Sequence, residues 1–236
     1  MKNKWFSYIY INTEKGFVKT SGITWNEFYH GVGTKPQNLL LLAGYSRAMS
    51  SCKLYMDYIP AEEMAVFVES NVYDYGDFCW VDFAAPANLD NVSDNELAEL
   101  LFFRHTCRPL TSYRIPSLQN SYAYWSHDDG WVTRVYMERP DEYKQVIEYK
   151  ILKELKGRKR SIEPIPTAIM DALFTMFLGG AVLDFEWSTT SGVRVYPIGN
   201  VDDMDSIHSL LDQRRRRQNG AGLWYDTRTK TWSISG

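Results

Sequence analysis

Residues 120–138 read NSYAYWS-HDDG-WVTRVYME. Two runs rich in aromatic and β-branched residues flank a four-residue turn that ends in Asp-Gly, which is the signature of a β-hairpin. Strands joined this closely have to pair antiparallel. The signature recurs at WFSYIYIN-TEKG-FVKTSGI (5–23), AVLDFEWSTTSGVRVYPI (181–198) and LWYDTRTKTWSI (223–234). CKLYMDYI (52–59) and GDFCWVDFA (76–84) read as further strands. In the latter, Phe78, Trp80 and Asp82 share one face and Cys79, Val81 and Phe83 the other. Strands that arrive as adjacent hairpins exclude a doubly wound parallel sheet. The expected class is α+β, with antiparallel sheets built from consecutive hairpins and packed against about five helices.

Helix signals lie between the strands. Thr24 with Glu27, and Ser93 with Glu96, have the spacing of capping boxes, so helices are predicted from Trp25 and from Asp94 to about His105. KPQNLLLLAG (35–44) reads as a short helical stretch closed by Gly44. PAEEMAVFVESN (60–71) has Pro and two acids at its start, as a helix N-terminus favours. After Pro140, the positions Tyr143, Val146, Ile147, Ile151 and Leu155 follow helical spacing up to Gly157. In TAIMDALFTMFLGG, Thr167, Asp171 and Thr175 form one polar stripe, and the remaining positions are expected to be buried. GRKRSIEPIP (157–166) is charged and Pro-rich, the composition of a linker. It separates an N-terminal α+β half, 1–156, from a C-terminal half, 157–236, with a single domain as the alternative.

Composition limits the function classes. The chain has 236 residues, 44% hydrophobic and 15% aromatic, enough for one large core or two small ones and too aromatic for a disordered chain. Its net charge is −3 and its pI about 5.8, which weighs against a dedicated nucleic-acid binder. The longest apolar runs, at 38–45 and 168–183, fall short of the ~20 residues of a spanning helix, so no membrane segment is expected. MKNKWFSYIYIN lacks a small-residue cleavage site and reads as a strand. Cys52, Cys79 and Cys107 are odd in number and far apart, as for reduced thiols in a cytoplasm.

No motif dictates a chemistry. His105 and Cys107 in FRHTCRP match no zinc-ligand spacing, so no metal is expected. YHGVGTK (29–35) is neither a phosphate loop nor a dinucleotide fingerprint, so no cofactor is expected. His127 and Asp128, at the tip of SHDDGW, have acid–base capacity, but Asp and Gly there are what the turn itself demands. Asp184 and Glu186 share a strand face, with Arg194 on the returning arm. They read as a cross-strand ion pair on a solvated face, or as a carboxylate pair lining a cleft. An enzyme built on this chain would draw on His105, Cys107, His127, Asp128, Asp184 and Glu186.

Basic residues gather at Lys150, Lys153, Lys156, Arg158, Lys159 and Arg160, and again at Arg214 to Arg217. The second group closes a helix that begins with Asp202, Asp203 and Asp205, an arrangement that complements the helix dipole at ~0.3–1 kcal/mol per charge. Successive residues turn about 100° around a helix, so four arginines do not form one patch. Met204, Ile207, Leu210 and Leu211 mark the buried stripe. Arg214 is expected to continue it, partly buried and paired with Asp184, Glu186 or Asp226. The leading expectation is a non-catalytic protein that binds a protein partner or a small ligand through an aromatic surface including Tyr122, Tyr124, Trp125, Trp131 and Arg214. An enzyme of undefined reaction and a nucleic-acid binder are the alternatives.

Overall fold

A computed structural model describes residues 6–43, 50–51, 56–70, 76–106, 110–127, 130–156, 162–186, 192–217 and 219–235. Residues 157–161 of the expected linker, and the candidate residues Cys107 and Asp128, lie outside these. In chain order the elements are β1 (Phe6–Asn12), β2 (Phe17–Ser21), α1 (Trp25–Gly31), β3 (Asn38–Ala43), β4 (Ser50–Ser51), β5 (Asp57–Ile59), α2 (Ala61–Val68) and β6 (Phe78–Phe83). There follow α3 (Asp94–His105), β7 (Tyr122–His127), β8 (Val132–Met137), α4 (Tyr143–Lys156), α5 (Thr167–Leu178), β9 (Ala181–Asp184), β10 (Gly192–Pro197), α6 (Met204–Arg217), β11 (Ala221–Asp226) and β12 (Thr231–Ser235). Two short 3-10 turns, Pro86–Asn91 and Pro140–Glu142, precede α3 and α4.

The chain divides into two compact units, neither of them continuous in sequence. One comprises 1–13, 18–33 and 141–236; the other comprises 14–17 and 34–140. The boundary after the hairpin region thus falls at Pro140/Asp141, ahead of α4. In the first unit the strand order is β12-β11-β10-β9-β1-β2, and β12 through β1 pair antiparallel. The N-terminal strand lies between β9 and β2 in this sheet, with Phe6 opposite Asp184 and Tyr8 opposite Val182. In the second unit the order β8-β7-β6-β3-β5-β4 is antiparallel throughout. The mixed α+β class holds, with six α-helices among the described residues.

Both capping boxes form. Thr24 and Ser93 side chains accept from the Glu27 and Glu96 amides, and each glutamate accepts back from the N-cap amide, at 3.0 and 2.9 Å. Two expectations are overturned. Residues 38–43 form β3, because NLLLLA, apolar on both faces, is inserted between β5 and β6; a buried strand and a short apolar helix have the same composition. In α5 only Met170, Leu173 and Phe177 are buried, while Leu178 is exposed. That helix covers its unit on one side, so its apolar character exceeds its burial.

The second unit's core is aromatic. Phe78 and Trp80 stack at 4.0 Å between centroids, Tyr124 stacks on both, and Phe67 of α2 meets Trp80 edge-on. The aromatic–aromatic terms add ~0.5–1.5 kcal/mol per pair to the burial of the rings. Asp82 lies on this same face of β6 and takes the amide protons of Ser121 (2.9 Å) and Tyr122. Burial pushes its carboxyl from 3.8 up to about 6, against the opposing pull of those two amides. The folded form therefore holds a proton that the unfolded chain has lost, and the stability this confers is complete below pH 3.8 and vanishes as pH rises through about 6. Asp82→Asn keeps an acceptor for both amides and removes the titration. Denaturant midpoints of the two proteins should diverge between pH 4 and 6, with only the parent losing stability as pH rises; parallel curves would contradict this assignment.

Candidate functional site: an arginine framed by aromatic rings

The register of the β7–β8 hairpin sorts its side chains into two faces. Tyr122, Tyr124 and Ser126 point with Met137, Val135 and Thr133 to one; Ala123, Trp125 and His127 point with Tyr136, Arg134 and Val132 to the other. The first face belongs to the core. Tyr122 and Tyr124 are buried there, the Tyr122 hydroxyl donating to the Thr34 carbonyl at 2.8 Å. These two residues pack the sheet and present no ring to solvent.

The second face is different. Trp125, His127 and Trp131 are half-buried, and the Trp125 and His127 rings lie 4.9 Å apart. Arg134 stands directly opposite Trp125 in the register and is only 7% exposed. Its guanidinium carbon is 5.4 Å from the Trp125 ring centroid and 5.2 Å from that of Phe17. Its Nη1 donates one long hydrogen bond, 3.5 Å, to the Tyr136 hydroxyl oxygen, which also accepts from the Leu110 amide at 2.9 Å. Tyr113 stacks on Tyr136 behind it. Among the described residues no carboxylate pairs with Arg134, and its Nε is buried with no hydrogen-bond partner.

Among the described residues this charge is uncompensated. A buried cation without a counter-ion costs several kcal/mol, and cation–π contacts return ~0.5–2 kcal/mol each. The rings contact the guanidinium without accepting its in-plane N–H bonds. Across the pair, Cys79 lies opposite Trp125 on β6, and burial pushes its thiol up to about 12. It is an inert neutral wall. The sequence held a signal for Arg134 that motif scanning passes over: WVTRVYM places a charge on the strand face shared by Val132 and Tyr136.

Among the described residues, the other sequence candidates do not converge on this face. His105 is exposed in the last turn of α3. Asp184 and Glu186, in the first unit, do come together, but on Arg215. Its Nε and Nη2 donate to the two Asp184 oxygens at 2.8 Å each, and its Nη1 lies 2.7 Å from Glu186. The Asp184 face is not solvated, because α6 covers it: Ile207 and Leu211 pack with Phe6, Tyr8, Val182 and Tyr196. Arg194 is opposite Asp184 in the register, yet its Nη1 donates to the Tyr196 hydroxyl at 3.5 Å. The inward arginine is thus Arg215, one turn beyond the buried Leu211; Arg214 is half-buried beside it and does not hold Asp184.

Two members of the first basic cluster, Lys150 and Lys153, are also committed internally. Lys150 is buried between Glu27 and Glu154, and Lys153 lies 3.3 Å from Glu27. Among the described residues no group of three or more His, Cys, Asp or Glu side chains could hold a metal ion. No described helix is long and apolar enough to cross a membrane. The chain matches no family model, no curated protein and no solved structure.

Proposed function

We propose that this chain is a binding protein, and that the β7–β8 face bearing Trp125, His127 and Arg134 is its recognition surface for a small ligand. The observation that carries this is the arrangement of the hairpin: one face is buried to completion, while the other keeps two half-buried rings beside a buried cation with an unmet donor. Natural cores satisfy their buried polar groups, and exceptions gather where a ligand completes the set. A small ligand suits the site better than a flat protein surface, because the unmet Nε lies below the surface. Recognition requires no reacting group, and of the acid–base candidates among the described residues only His127 lies on this face. The buried thiol of Cys79 suits a reducing, cytoplasmic setting.

The test is a titration followed by two-dimensional amide NMR with phenol, indole, benzamide and benzoate as probes. At least one should move the backbone signals of residues 123–127 and 132–136 in a saturable way. Trp125→Ala, shown folded by circular dichroism, should weaken that probe tenfold or more, the scale of ~1.4 kcal/mol of ring contact. If all four probes leave these signals in place, the hairpin face is not a ligand site.

A further inference from the structure

Resting on the ligand-binding role proposed for this face, we infer that its ligand carries a carboxylate and that Arg134 is the group that receives it. The N–H bonds of a guanidinium lie in one plane, and Nε–H runs parallel to one N–H of Nη2, so this edge presents two donors at carboxylate spacing. In Arg134 the opposite terminal nitrogen, Nη1, reaches Tyr136. Nε is the buried atom left without a partner. Phe17 and Trp125 flank the guanidinium at 5.2 and 5.4 Å. A planar carboxylate in the guanidinium plane matches the paired donors of this edge and supplies the bond that Nε lacks, whereas a tetrahedral oxyanion places oxygens out of that plane.

Charge points the same way. Arg134 is one cation, and Arg114, the next arginine in this unit with a described ion pair, is taken up by Glu138 at 3.2 Å. A monoanion neutralises the site; a phosphate dianion would leave it with a buried excess negative charge. The organic part of the acid then contacts Trp125, with the His127 ring tilted against it. A free organic acid and the C-terminal carboxylate of a peptide share this chemistry.

The experiment follows the side-chain Nε–H resonance of Arg134 and the melting temperature. The probes are sodium benzoate, its neutral isostere benzamide, inorganic phosphate, and a phenylalanine-terminated tripeptide with a free or an amidated C-terminus. Benzoate up to about 50 mM, enough to saturate a Kd of about 1 mM, should move the Nε–H signal and raise Tm. Benzamide and phosphate should do neither. Arg134→Met should abolish the benzoate response, and Arg134→Lys should weaken it at least tenfold, since an ammonium cannot offer the paired donors. A response to the free tripeptide stronger than to benzoate assigns the carboxylate to a chain end; a weaker one assigns it to a small acid. Both keep the inference.

Without ligand, Arg134→Met should melt no lower than the parent, because it removes an uncompensated buried charge. A fall of more than about 4 °C would make Arg134 a structural cation held by its rings, and overturn the inference. So would a benzoate response unchanged in Arg134→Lys, or phosphate binding tighter than benzoate. If benzamide binds as tightly as benzoate and depends on Trp125 alone, the ligand-binding role stands and the carboxylate falls. If none of these probes binds, the carboxylate falls, and if phenol and indole also fail, the ligand-binding role falls with it.

Discussion

Arg215→Ala should destabilise the protein by about 3–5 kcal/mol, the scale measured when one partner of a buried ion pair is removed. Asp184 is 0% exposed and sits opposite Phe6 and Arg194 in the centre of the first unit's sheet. Arg215 supplies two parallel hydrogen bonds to it, and reaches Glu186 with its remaining nitrogen. Without the fork, the carboxylate has to remain charged in an apolar site or take up a proton, and either outcome costs stability. Arg215→Lys restores the charge without the bidentate geometry and should recover part of the loss. Asp184→Leu combined with Arg215→Met removes both charges and should be far milder than the single change. Arg216→Ala, on the solvent side of the same helix, should stay within about 0.5 kcal/mol. Urea midpoints measured across these variants decide the matter. Equal effects at positions 215 and 216 would show that the buried pair contributes nothing beyond a surface contact.

Lys150→Ala is the second large effect, at about 3–4 kcal/mol, in the same range and for the same reason. Lys150 is 5% exposed, and its ammonium bridges Glu27 at 3.0 Å and Glu154 at 2.9 Å. Glu27 is itself 3% exposed and uses its other oxygen to cap α1 through the Thr24 amide. Loss of Lys150 therefore leaves a buried glutamate with Lys153 alone, and removes the aliphatic stem that packs between the helices. Lys153 is half in solvent, so Lys153→Ala should cost under about 1 kcal/mol. A double-mutant cycle of Lys150→Ala with Glu27→Gln isolates the pair. A coupling below about 0.5 kcal/mol would mean that the buried bridge acts as a solvated one does.

Much of the fold is legible from residues near one another in sequence. The Thr24/Glu27 and Ser93/Glu96 spacings start α1 and α3 where the chain starts them, because both partners of a capping box lie within one turn. The hairpins at 120–138, 181–198 and 223–234 form because a short turn leaves the flanking strands no partner closer than each other. The stretch 38–43 is where local signals fail. Four leucines in a row suit a helix and a doubly covered strand equally, and only the strands on either side decide.

The site was less legible, for a related reason. Tyr122, Tyr124 and Trp125 look alike in sequence, yet alternation sends two of them into the core and one toward solvent, and which face is the core depends on what packs there. The sequence by itself determined the antiparallel α+β class, the hairpins, the capped helices and the acid-to-base polarity of α6, since each depends on backbone geometry set within a few residues. The tertiary structure alone decided that Arg215 rather than Arg214 meets Asp184, that Lys150 is buried against Glu27, and that no described carboxylate meets Arg134. Charge compensation in a protein interior is a property of neighbours brought together across the chain, 31 residues apart in the first case and 123 in the second. Local spacing carries no record of whether such a neighbour arrives.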